Sequence, residues 1–156
     1  MAIIELKTLK EQLKNKQSIL GLDLGSKTIG VSISDGLLII ASPLKTIKRK
    51  KFSIDAECLK EIIGKLDIGA LIIGLPISMD GTEGRRCQST RQFSLNFLKM
   101  IEIPITFWDE RLSTSAVERF LISQVDMSRR KRGKIIDKMA ATYILQGALD
   151  FLNKDK

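Results

Sequence analysis

Two hydrophobic periods alternate along this chain, and the points where one gives way to the other mark its elements. Ile19 to Leu24 is an apolar run of strand length, broken near its end by one carboxylate, Asp23. Gly25-Ser26-Lys27 follows as a tight turn. Ile29, Val31 and Ile33 then alternate with Gly30, Ser32 and Ser34, which is the period of a half-buried strand. Asp35-Gly36 predicts a hairpin, with a third strand over Leu37 to Leu44 ending at Ser42-Pro43. Three strands joined by connections this short are antiparallel neighbours.

Helical spacing dominates elsewhere. Ile3, Leu6, Leu9 and Leu13 predict an amphipathic helix over Ile3 to Lys16. After the basic loop Lys48-Arg49-Lys50-Lys51, Ser53 is expected to cap a helix running to about Leu66. Its apolar face is read as Ile54, Cys58, Ile62 and Leu66, with Cys58 a small core residue. Ala70 to Leu75 is a second wholly apolar strand, and a loop from Pro76 leads to a helix over Arg85 to Met100. Ile105 to Asp109 is a further strand. A helix over Ser115 to Ser123, capped by Ser113 or Thr114, a basic loop over Gln124 to Lys134, and a last helix from Ile135 to about Leu152 complete the chain. This order implies an α/β fold: a mixed sheet of three antiparallel strands then two parallel ones, with helices on both faces. Residues 1–17 read as an N-terminal helical extension and 18–156 as one domain.

Composition narrows the chemistry. At 156 residues, 44% of them hydrophobic, the chain is long enough for a core of its own. No apolar stretch is of membrane-spanning length, and the first residues lack the order of a signal peptide, so a cytoplasmic location is expected. There is no histidine, and Cys58 and Cys87 form no C-x-x-C pair. That excludes the usual zinc sites and the Ser-His and Cys-His nucleophile systems. A metal would have to be held by oxygen, which points to Mg²⁺ or Mn²⁺. The net charge of +8 suits a polyanionic partner.

Carboxylates occupy three suggestive places. Asp23 ends the first strand, Asp109-Glu110 ends the last, and Asp137 lies in the first turn of the final helix. Strand alternation sends Asp109 and Glu110 to opposite faces, so only one of them can join Asp23. Ala141, Ile144 and Ala148 continue from Asp137 as a stripe facing the sheet. Plainer roles exist for each: Asp23 accepting hydrogen bonds from its turn, Glu110 pairing with Arg111 or Arg119, and Asp137 complementing the helix dipole. Gathered together, the three would repel unless cations sat between them. Two divalent ions about 3.5–4 Å apart suit in-line attack of water on a phosphodiester. Arg85, Arg86 and Arg91, and then Arg129, Arg130, Lys131, Arg132 and Lys134, flank these positions and suit backbone phosphates. Lys27 and Arg111 are further candidates to hold a phosphate. Trp108, within a strand, is read as core rather than as a stacking platform.

These residues resemble a known family. Gly21-Leu22-Asp23-Leu24-Gly25-Ser26-Lys27-Thr28-Ile29-Gly30-Val31 is similar to the opening motif of the YqgF/RuvX family, pre-16S rRNA nucleases related to Holliday junction resolvases. Gly74-Leu75-Pro76 with Met79 to Gly84, Asp109-Glu110-Arg111, and Asp137-Lys138-Met139-Ala140-Ala141 resemble its later motifs in the right order. The resemblance implies an RNase H-like fold and a metal-dependent endonuclease that trims the 5′ end of pre-16S rRNA during ribosome maturation. It implies that Asp23, Glu110 and Asp137 are the metal-binding catalytic carboxylates. The partners expected are pre-rRNA or branched DNA, with ribosomal particles a further possibility, no membrane, and a monomer or homodimer. Three rival readings stand beside it: a Holliday junction resolvase, a nucleic-acid-binding regulator without catalysis, and a sugar-kinase or actin-like ATPase. The chain is short for the two lobes of the last.

Overall fold

The computed structural model describes residues 3–112 and 129–154, with side chains over 3–111 and 139–154. The elements run α1 (Leu6–Gln12), β1 (Ser18–Leu24), β2 (Thr28–Ser34), β3 (Ala41–Lys48), α2 (Phe52–Lys65), β4 (Ile68–Leu75), α3 (Arg85–Leu98), β5 (Ile105–Asp109), a 3₁₀ turn (Glu110–Leu112) and α4 (Arg129–Leu152). The strands form one sheet in the order β3-β2-β1-β4-β5. β2 pairs antiparallel with both β1 and β3, while β1–β4 and β4–β5 are parallel. The expected mixed sheet is therefore the observed one.

Alternation along β1 divides the core. Leu20, Leu22 and Leu24 face α2 and α3 and pack with Leu59, Ile63, Phe93 and Phe97. Ile19 faces the other way, with Ala70 and Ile72 of β4, against Leu9 of α1 and Ile144, Leu145, Ala148 and Leu149 of α4. Helices thus cover both faces, and every position between Ile19 and Leu22 is buried. Both helix layers withdraw apolar area from water, the main favourable term in folding.

Several boundaries differ from the sequence expectation for identifiable reasons. The third strand is Ala41–Lys48 rather than 37–44. The Asp35 carboxylate accepts the backbone N–H groups of Ile39 (2.7 Å) and Ile40 (3.0 Å), which closes a wider loop than a two-residue turn. Leu37, Ile39 and Ile40 are consequently exposed. α1 is half the expected length: Ile3 forms a parallel bridge to Ile105 instead of starting the helix, and the backbone is extended again at Leu13. Lys51, not Ser53, stands at the start of α2, with no side-chain cap. The buried face of α2 is Asp55, Ala56, Leu59 and Ile63, while Ile54 and Leu66 lie exposed and Cys58 is only half-buried. α4 begins at Arg129, so Arg129 to Lys134 are helical rather than a loop. The helix expected over 115–123 lies outside the described residues. Among the described residues, no helix is long and apolar enough to cross a membrane.

Candidate active site

The site forms at the C-terminal ends of the central strands, on the face covered by α4. Asp23 is the penultimate residue of β1. Its partner across the antiparallel ladder is Gly30 of β2. On the parallel side the register pairs Leu22 with Ile73, and its next step sets Asp23 beside Gly74. The carboxylate therefore stands between two positions that lack side chains, Gly30 and Gly74.

Glu110 follows β5 as the first residue of the 3₁₀ turn, so strict strand alternation no longer applies to it. A β-carbon built on Gly74 would lie 2.9 Å from both Cγ and Oε1 of Glu110, and against Cδ1 of Ile144. Glu110 thus lies over Gly74 and hydrogen-bonds with Asp23. Burial is the largest influence on its carboxyl, and the hydrogen bond and negative charge of Asp23 act the same way. Together they push its pKa up from 4.5 to about 8, while Arg86 opposes the rise. Asp109 is held apart. Its carboxylate takes the Arg111 guanidinium at 2.6 and 2.9 Å and the Arg111 backbone N–H at 2.9 Å. The hydrogen bond to Arg111 holds Asp109 below the ordinary carboxylate range. The expected choice between the two acids thus falls on Glu110, and the pairing expected between Glu110 and Arg111 is made by Asp109 instead.

The third acid depends on how α4 is seated. A β-carbon on Gly21 would lie 2.7 Å from Leu145 Cβ and 2.9 Å from the Ala141 carbonyl, so only glycine admits the helix this close to β1. The Ser32 hydroxyl donates to that same Ala141 carbonyl at 2.7 Å. Further along, the Gln146 side chain accepts the Ala41 N–H at 2.8 Å and donates to the Ile39 carbonyl at 2.9 Å. Asp137 lies on α4, four residues before Ala141, one turn nearer the strand ends. Its side chain is outside the described residues.

The basic candidates separate into groups. Lys27 is exposed in the β1–β2 turn and Arg85 is exposed at the start of α3. Arg111 is engaged with Asp109. Arg91 forms a two-pronged pair with Glu83, at 2.7 and 2.9 Å, so its charge is already matched. Arg129, Arg130, Arg132 and Lys134 lie along the first turns of α4. Trp108, expected in the core, is only half-buried: it packs against the α4-side core and meets the exposed Phe151 edge-on. In the sequence Gly74 stands only as part of a motif and Ser32 only as a polar strand position; their roles in seating Glu110 and α4 are spatial, since neither residue has chemistry of its own. Arg86, whose charge acts on Glu110, was visible only as part of a basic run.

Two half-buried acidic groups that share a hydrogen bond fit a hard divalent cation, which would replace the repulsion between their charges with attraction. Among the described residues no third His, Cys, Asp or Glu completes a cluster. Asp137 is the only one of the three expected ligands whose side chain falls outside them.

Comparison with known proteins gives consistent results. The profile described as "RuvX: Holliday junction resolvase" matches residues 17–151. A relative from Rhodospirillum rubrum, named "Putative pre-16S rRNA nuclease", is 47% identical over 156 residues, covering 100% of this chain and 97% of its own. One of the same name from Roseobacter denitrificans is 55% identical over 140 residues, covering 88% and 85%. Among solved structures, Thermus thermophilus RuvC in complex with a Holliday junction substrate superposes with a TM-score of 0.53 at 13% identity, covering 86% of this chain and 94% of that one. At that identity the likeness speaks for the fold, which is RNase H-like.

Proposed function

This chain belongs to the RuvX family, and on that footing we propose that it is a metal-dependent endonuclease that trims the 5′ end of pre-16S rRNA. The observation that carries the reading is the meeting of Asp23, near the end of β1, with Glu110, in the turn after β5, beside Gly74. Two acids from distant parts of the chain hydrogen-bond with each other here, within reach of the Arg86 charge.

In this reading Asp23, Glu110 and Asp137 hold Mg²⁺ or Mn²⁺. When bound, the ion supplies Lewis acidity at the scissile phosphate and lowers the cost of activating water. The protein's own part is to hold the acids at fixed spacing, with Gly74 leaving room for Glu110. Arg86, close enough to influence Glu110, balances charge at the rim of the site. Lys27, Arg85, Arg129, Arg130, Arg132 and Lys134 take backbone phosphates, and Arg111 stabilises developing charge. Residues 18–156 constitute the nuclease domain, with 1–17 an extension to it. The setting is the cytoplasm, on pre-rRNA within ribosomal particles, as a monomer or homodimer. The family description favours one alternative, cleavage of branched DNA.

The test is cleavage of labelled RNA spanning the pre-16S 5′ region, beside a four-way DNA junction, with Mg²⁺, Mn²⁺ or EDTA. RNA cutting that requires metal and is lost in Asp23→Asn is the expected result. Junction cutting alone would transfer the assignment to branched DNA, and unchanged cutting by Asp23→Asn would remove Asp23 from the site.

A further inference from the structure

Around the end of β1 from the acidic pair lies a cavity of about 150 Å³. Ser26 of the β1–β2 turn, Arg49 beyond β3, and Arg86, Ser89, Thr90 and Phe93 of α3 line it. Its polar side chains are two guanidiniums and three hydroxyls, and no carboxylate is among them. Guanidiniums only donate, and hydroxyls can donate, so a wall of this make-up selects an anion rich in acceptor oxygens.

The cavity is built in advance. The Arg49 Nη1 donates to the Gly25 carbonyl at 2.7 Å, and the Arg49 backbone N–H donates to the Lys27 carbonyl at 2.9 Å. These bonds lock the β1–β2 turn to the segment after β3. The guanidinium lies over the Phe93 ring, 5.9 Å from its centroid, with Nε 4.0 Å from the buried Asp55 carboxylate. Asp55 also accepts the Lys50 N–H at 3.1 Å. Among the described residues the Nη2 of Arg49 has no hydrogen-bond acceptor, and Arg86 has no ion-pair partner. Arg86 reaches both places, since it lines the cavity and its charge acts on Glu110.

We propose that this cavity is a phosphate subsite, which receives a backbone phosphate of the strand being cut next to the one at Asp23 and Glu110. The proposal rests on the nuclease reading for its substrate, though not for its chemistry, because phosphate binding here requires neither metal nor cleavage. It assigns Arg49 and Arg86 as positioning residues that fix the strand's path past the acidic pair, and it makes the contact independent of base identity.

The test is made in EDTA, where cleavage plays no part. Inorganic phosphate is titrated against ¹⁵N-labelled protein, and the affinity of a fluorescein-labelled single-stranded RNA is measured over a range of salt concentrations. Saturable shifts of the Ser26, Ser89 and Thr90 amides are expected. Ser89→Glu, which puts a carboxylate into the cavity from an exposed helical position, should abolish them, lower RNA affinity about tenfold and reduce the salt slope by about one. Thr8→Glu makes the same charge change on α1, away from the cavity, and should leave the phosphate shifts intact with a smaller effect on RNA. Ser26→Asp serves in place of Ser89→Glu if the latter does not fold. Equal losses in Ser89→Glu and Thr8→Glu, or phosphate shifts confined to other residues, would overturn the proposal. A wild-type protein that binds phosphate here yet cuts no nucleic acid with metal would leave the subsite standing and remove the nuclease.

Discussion

Glu110 rests on the bare backbone of Gly74. The two residues are on different elements, yet a β-carbon on Gly74 would come within 2.9 Å of the Glu110 side chain. Glycine here is a spatial requirement set by the acid above it, not by the backbone angles of its own strand.

Gly74→Ala should therefore displace Glu110 from Asp23. The methyl would also press on Ile144, so a stability loss of about 1–3 kcal/mol is expected from overpacking. Metal-dependent cleavage should fall much further than that loss accounts for. Thermal unfolding and single-turnover cleavage, measured together, separate the two effects. Full activity in a destabilised variant would mean Glu110 is not needed where it lies.

The shifted acidity of Glu110 gives a pH dependence of known sign. Its folded-state pKa is raised from 4.5 to about 8 by burial and by Asp23. Between those values the folded chain keeps a proton that the unfolded chain has released. Stability of the metal-free protein should then fall as pH rises through that window and level off above it. Glu110→Gln should flatten this part of the profile. Urea midpoints in EDTA from pH 5 to 9 provide the measurement, and an identical slope in the variant would assign the titration elsewhere.

The same proton links metal and pH. Because Mg²⁺ or Mn²⁺ needs the ionised acid, binding near pH 7 should release a proton that wild type holds and Glu110→Gln lacks. Calorimetric titrations of Mn²⁺ in buffers of different ionisation enthalpy count it directly. Equal apparent heats in all buffers would contradict the arrangement.

Ser32→Ala removes the hydroxyl that donates to the Ala141 carbonyl. A loss of about 1 kcal/mol is expected for a neutral buried hydrogen bond. Since this bond seats α4 against β2, cleavage should fall with the metal dependence shifted to higher concentration. A variant that loses stability but keeps its metal requirement unchanged would show that α4 is seated by its apolar contacts alone.

How far the sequence led can be judged from particular residues. The strands of Ile19 to Leu24 and Ile105 to Asp109 were readable because short apolar runs bounded by turn residues admit few other structures. The parallel-antiparallel order followed from the connection lengths. The third strand slipped because Asp35 reaches forward to the amides of Ile39 and Ile40, a side-chain contact that leaves no trace in hydrophobic period. The buried face of α2 lies one position from the apolar pattern because Asp55, a charged residue, is buried in it. Lys50 and Arg49 satisfy it there. Asp23 and Glu110 stand out as candidates in the sequence, but their meeting depends on the absent side chain at Gly74, and absences are weak signals in one sequence. The cavity around Arg49 joins three segments far apart in the chain, which only folding brings together.

The bridge between Ile3 and Ile105 reaches beyond local geometry. β5 is an edge strand, and such edges invite other chains to add on. Here the Ile4 N–H donates to the Ile105 carbonyl at 2.8 Å, and the Thr106 hydroxyl donates to the Ile4 carbonyl at 2.9 Å. The first residues of the chain thus act as a guard rail on the sheet. They occupy backbone positions where a stray strand would begin to aggregate, at the apolar start of β5, well before its one charge at Asp109.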